Sequence, residues 1–129
     1  MFSRFSPAAL RVLRLAEQEC RNHNHYYVGA EHMLFALLEE HDPKVMAALD
    51  AAAIRAGDVH AALKGALGTE EDRVWEGILI TPRLRNIVRA AEACAGEREV
   101  EPIDLWEAIR AERGGLAAEI LSRAAQGSA

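Results

Sequence analysis

A glutamate at the start of a helical stretch, a group of histidines and two cysteines carry the chemistry available to this sequence. His23 and His25 lie in one loop and His32 follows, and imidazole is a common zinc ligand. No cysteine and no regular ligand spacing completes a tetrahedral set around them, so no metal is expected. His32 is instead expected to hydrogen-bond within its own helix entrance. Cys20 and Cys94 sit one in each half, without the close pairing of a CxxC motif, and are read as two buried thiols. Glu31 falls in the first turn of its helix, where a carboxylate complements the macrodipole by ~0.3–1 kcal/mol. A nucleophile, a base and an orienting group do not appear together, and the phosphate-cradling loop GxxxxGK(S/T) is absent. The chain is therefore expected to be no enzyme, to hydrolyse no ATP and to need no cofactor.

Helices must position these residues. Ser6-Pro7 supplies an N-cap followed by proline at the first helical position, and Ala9, Val12, Leu13, Ala16 and Cys20 recur at three- and four-residue spacing, so a helix is expected over 7–21. After the polar loop 22–25 a second helix should begin near Ala30 and turn Met33, Leu34, Leu37 and Leu38 inward. Asp42-Pro43 repeats the cap-plus-proline signal and opens a third through Val45, Met46 and Leu49. A fourth is expected from Arg55 to Leu67, stopping at Gly68.

The balance of residue types narrows the functions. Half of the 129 residues are hydrophobic and 27% are charged, as in ordinary globular domains. Fifteen Lys and Arg stand against twenty Asp and Glu, a formal net charge of −5, which repels phosphate backbones and makes nucleic acid an unexpected main ligand. Apolar runs such as Met33–Leu38 are far shorter than the ~20 residues of a spanning helix, so no membrane association is expected. Residues 1–4 lead into a helical pattern with no apolar leader region, and a cytoplasmic location is expected.

The helical pattern then begins again. Ile80-Thr81-Pro82 has the form of Phe5-Ser6-Pro7, and at an offset of 75 Arg14 matches Arg89, Ala16 matches Ala91 and Glu17 matches Glu92. The second helices match at an offset of 72, pairing Val28 with Val100 and Ala36 with Ala108. The sequence thus predicts one all-α domain over 1–129: a first four-helix repeat over 1–68, a linker over 69–77 and a second, truncated repeat over 78–125. The fourth helix of the second copy is missing from the pattern, leaving about seven helices packed about a pseudo-twofold axis. Trp75, in the linker, is free to pack over either half.

The opening Met1-Phe2-Ser3-Arg4-Phe5-Ser6, the segment Tyr27-Val28-Gly29-Ala30-Glu31-His32-Met33-Leu34 and the second-repeat Thr81-Pro82-Arg83 resemble the Clp N-terminal (Clp repeat) domain family. The likeness covers nearly the whole chain. It implies a substrate-receiving and adaptor-docking domain whose partners are a Clp ATPase, its adaptors or its protein substrates. In members that receive proteins marked by arginine phosphorylation, the acidic residue of the Gly-Thr-Glu-His segment holds the phosphoguanidinium, and Glu31 falls at that position, flanked by Gly29, Ala30 and His32. A carboxylate suits paired guanidinium N–H donors, and helix N-terminal N–H groups suit the phosphate. Ala30 stands where the family usually has Thr. Such a domain, read as free-standing, would act as adaptor, receptor or decoy.

Two further expectations concern the repeat junction. Phe2, Phe5 and Ile80 start the two copies and either close the core between them or form an apolar patch rimmed by Arg4, Arg83 and Arg85. A patch would suit a hydrophobic peptide or a cyclic-peptide antibiotic, a ligand class that actinobacterial relatives accept, and the protein would then sequester it. The second repeat carries Ile103 where Glu31 is expected, with Glu101, Pro102 and Asp104 around it, so only the first repeat is expected to hold phosphoarginine. Asp104, one residue further on, is rotated by ~100° from the required face.

Overall fold

The computed structural model describes residues 2–23, 25, 27–67 and 79–127. The linker expectation, with Trp75 and Gly68, lies outside the described residues. Seven helices are found among those described: α1 (Pro7–Asn22), α2 (Ala30–Glu40), α3 (Pro43–Ala51), α4 (Ala56–Leu67), α5 (Pro82–Ala95), α6 (Pro102–Ala111) and α7 (Leu116–Gly127). The starts expected from the cap-and-proline pairs are realised. Ser6 accepts from the Ala9 N–H, Asp42 from those of Lys44 and Val45, and Thr81 from that of Leu84. Arg55 stands just outside α4, its carbonyl accepting from Asp58 and Val59 N–H. At the other end α7 runs through Gly127, two residues past the expected end of the second repeat at 125.

α2 is buried on almost every side, from His32 through Leu38, because it lies between α1, α3, α4, α5, α6 and α7. Its counterpart α6 contributes Leu105, Trp106 and Ile109 to the same core. Cys20 is buried as expected, its Sγ donating to the Tyr27 carbonyl at 2.9 Å, and desolvation pushes its thiol up to about 12. Cys94 is exposed, which corrects the expectation of two buried thiols. The inward stripe of α5 runs through Leu84, Ile87, Val88, Ala91 and Ala95, and position 94 falls beside it.

To the helices the structure adds two strands too short to leave a period-two signature. β1 (Tyr27–Val28) pairs in parallel with β2 (Leu79–Ile80), with Val28 opposite Ile80, and an isolated parallel bridge joins Phe5 to Val100. These pairings are reciprocal. Phe5 and Ile80 are matched positions of the two repeats, as are Val28 and Val100, so the lead-in of each copy pairs with the segment before the other's second helix. Ser6 N–H donates to the Val100 carbonyl at 2.9 Å, and Thr81 N–H to the Val28 carbonyl at 3.1 Å. Because each half completes the other's backbone bonds, heat or urea should unfold the chain in one transition. Circular dichroism would check this, and two resolved transitions would mean that the halves are not coupled.

Candidate functional site

The exchange of backbone bonds brings the start of α5 against the start of α2, and a cavity of about 310 Å³ opens there. Ala30 and Glu31 reach it from α2, Tyr27 from β1, Thr81 and Arg83 from the head of α5, Ala66 and Leu67 from α4, and Leu116 from α7. This volume lies at the small end of ligand pockets, which suits one side chain or small zwitterion.

The α2 end of the cavity is built around Gly29. Cβ added to Gly29 would lie 3.0 Å from Glu31 Oε2 and 3.4 Å from Thr81 Cγ2, so the missing side chain is the space into which the Glu31 carboxylate folds. Among the described residues that carboxylate has no hydrogen-bond or ion-pair partner. With no side chain at the N-cap, the first-turn N–H groups of Ala30 and Glu31 also lack a side-chain acceptor.

His32 does not line the cavity; it supports it. It is fully buried, and its Nδ1 accepts the Gly29 N–H at 3.0 Å. The proton therefore sits on Nε2, which faces His25 Nδ1 at 2.8 Å. Burial, followed by the neighbouring His25 and His23, pushes His32 down to about 4. His25 stacks on Tyr27, with ring centroids 5.2 Å apart, and His23 Nε2 meets the buried Glu19 carboxylate at 2.8 Å. Lys64 Nζ reaches the same Glu19 at 3.0 Å. Among the described residues no group of three His, Cys, Asp or Glu is placed to hold a metal ion.

The matched position in the second repeat is closed. Glu101 replaces Gly29, and its Oε2 accepts from the Ser6 hydroxyl at 3.0 Å. Asp104, the counterpart of His32, accepts the Glu101 N–H at 2.9 Å and takes both Arg98 Nη1 and Nη2 at 2.7 Å. Its burial pushes the carboxyl up, but the Arg98 and Glu101 hydrogen bonds outweigh this and hold it below the usual carboxylate value. Ile103, in the place of Glu31, packs partly buried against the core.

Of the residues expected at the repeat junction, Phe2, Phe5 and Ile80 all pack into or against the one core, while the three arginines go to different places. Phe5 is buried, with Phe2 edge-on to it at 5.1 Å, so Phe5 closes the core. Ile80 packs partly buried beside Val28. Arg4 is drawn to the end of α5, where it donates to the carbonyls of Gly96 and Arg98. Arg85 is exposed, whereas Arg83 belongs to the Glu31 cavity. Its place there, with Thr81, was not read from the sequence. The signal was the repeat itself, because a pseudo-twofold axis brings the head of α5 to the head of α2.

The Clp repeat (R) N-terminal domain family matches residues 4–105. The chloroplastic chaperone protein ClpC of Pisum sativum is 27% identical over 124 residues, covering 94% of this chain and 13% of its own length. A homolog in Cyanidium caldarium of the ClpA ATP-binding subunit of the ATP-dependent Clp protease is 32% identical over 91 residues. That match covers 70% of this chain and 11% of the relative. The chain thus spans a small part of the relatives it matches. Among solved structures, the N-terminal domain of the chaperone ClpD from Arabidopsis thaliana superposes with a TM-score of 0.69 at 16% identity, over 95% of this chain and 86% of that one. A chain from a structural investigation of a malarial protein secretion system gives 0.75 at 15% identity, over 95% and 85%. At these identities the two structures establish the shared fold alone.

Proposed function

Because the chain belongs to the Clp repeat N-terminal domain family, we propose that it is a non-catalytic receiving domain of Clp-dependent proteolysis whose Glu31 cavity takes a phosphorylated arginine of a protein. The observation that carries this reading is an unpartnered carboxylate and a helix N-terminus without a side-chain cap, both at one cavity of side-chain size. A phosphoguanidinium offers N–H donors and an anion within a few ångströms of each other. Glu31 accepts the donors, and the N–H groups of Ala30 and Glu31 meet the phosphate. Gly29 and His32 act on this site from behind, by making room for the carboxylate and by fixing the backbone. The loss of the family's Thr at position 30 removes a hydroxyl, but it does not remove a backbone donor.

In this role the chain serves as adaptor, receptor or decoy for a Clp ATPase and its substrates. The test is capture by the immobilised chain of a peptide carrying phosphoarginine, in competition with the same peptide carrying arginine. Preferential retention of the phosphorylated form, together with recovery of a Clp ATPase from lysate, is expected. Equal retention of both peptides, or tight binding of a cyclic peptide with no protein partner, would replace this reading with a ligand-sequestering one.

A further inference from the structure

We propose that the Gly114–Gly115 turn between α6 and α7 sets the charge selectivity of the Glu31 cavity by holding Arg83 in it as the counter-charge to an anionic ligand group. The inference deepens the reading above and rests on it.

Arg83 stands in the first turn of α5, directly after Pro82, where a cation opposes the helix dipole and does nothing for the helix. Its placement therefore asks for another reason. Nη1 donates to the Gly114 carbonyl at 3.0 Å and lies 3.7 Å from Glu112 Oε2. Gly115 lies flat against the guanidinium. Cβ added to Gly115 would stand 2.8 Å from Nε and 2.9 Å from Cζ. Both glycines have positive φ, 111° and 86°, which L side chains rarely adopt. A side chain at Gly115 would push the guanidinium out of this position, whereas a Cβ at Gly114 would meet nothing and only its positive φ asks for glycine.

Holding Nη1 in this way leaves Nε and Nη2 without an acceptor among the described residues, and these two N–H groups match a phosphate in a bidentate fork. The pseudo-symmetric counterpart of the site supplies an internal comparison. At the matched positions Ala8 replaces Arg83, Pro43 replaces Gly115 and Ile103 replaces Glu31. The cation, the turn that holds it and the carboxylate on the same cavity are thus present together at one of the two pseudo-symmetric sites, each built from both repeats, and absent together at the other. The ligand class is accordingly a zwitterion with N–H donors for Glu31 and a phosphoryl group for Arg83, as in an N-phosphorylated guanidine.

The test compares the intact chain with Gly115→Ala and Arg83→Gln, titrating each with phosphoarginine, arginine and inorganic phosphate and following the Arg83 Nε–Hε NMR signal where it exists. The intact chain should prefer phosphoarginine to arginine by roughly tenfold or more. Both variants should lose that preference while arginine affinity stays level, and phosphate should shift the Nε–Hε signal in the intact chain but not in Gly115→Ala. A ratio unchanged in Arg83→Gln, which leaves the turn's backbone unstrained, would overturn the inference whether or not Gly115→Ala folds. So would a lost ratio in Arg83→Gln that is kept in a folded Gly115→Ala. If the intact chain binds neither amino acid, the phosphoarginine reading fails. The phosphate shift then decides separately whether Arg83 is an anion site, and its absence would overturn that too.

Discussion

Titrated with phosphoarginine in a calorimeter, the chain should bind one equivalent, and Glu31→Ala should remove the signal. Two pseudo-symmetric repeats would by default give two sites, so a stoichiometry of one is a strong statement. It follows from what fills the matched position. Glu101 stands where Gly29 leaves room, and its carboxylate is engaged by Ser6. Ile103 cannot accept a guanidinium N–H, and Pro102 has no N–H to offer a phosphate. Asp104 is the only carboxylate one residue away, and it is committed to Arg98 and to the Glu101 N–H. In the first cavity, removing Glu31 leaves a cationic group without its acceptor, a loss of about 2–5 kcal/mol, which is roughly 30-fold or more in affinity. Glu101→Gln is the matching control and should leave binding unchanged. Asp104→Ala is unsuitable as a control, because it would leave Arg98 and a first-turn N–H unpaired and destabilise α6. Two equivalents, or binding that survives Glu31→Ala, would sink the single-site assignment.

What the sequence did and did not disclose follows a physical line. Ser6-Pro7, Asp42-Pro43 and Thr81-Pro82 are local devices, complete within four residues, and each starts a helix where it was expected. The all-helical repeat could be read for the same reason, since its matches lie along the chain. The features that were missed depend on contacts between distant segments. The Val28–Ile80 and Phe5–Val100 pairings need both halves in place. So does the placing of Arg83 and Glu31 on one cavity, which moved Arg83 from an expected apolar rim into a charged site. Arg4 shows the same limit. Nothing near it in sequence indicates that its guanidinium reaches the carbonyls at the end of α5, about 90 residues on.

The largest effect on stability should appear on acidification, through His32. Its folded value of about 4 lies below the ordinary histidine value of 6.5, because burial and the adjacent imidazoles disfavour the charged ring. The unfolded chain therefore binds the proton more readily, and unfolding takes up a proton across that interval. The stability that depends on neutral His32 is fully present above pH 6.5 and is lost as pH falls from 6.5 through about 4, in total about 3 kcal/mol. The structure gives the atomic reason. A second proton must go to Nδ1, the atom that accepts the Gly29 N–H, so charging the ring breaks the cap of α2 and sets an imidazolium against His25 in a dry site. Asp104, which caps α6 in the matched position, has its carboxyl held below the ordinary 3.8, so its contribution is lost only at still lower pH. His32→Asn keeps an acceptor for the Gly29 N–H and cannot titrate. It should cost stability at neutral pH through the volume it removes, yet the fall in its urea midpoint between pH 6.5 and 4 should be shallower than that of the intact chain. The difference between the two slopes isolates His32 from His23, His25 and the carboxylates, which both proteins share. Parallel slopes would show that His32 is not the group whose protonation opens the fold.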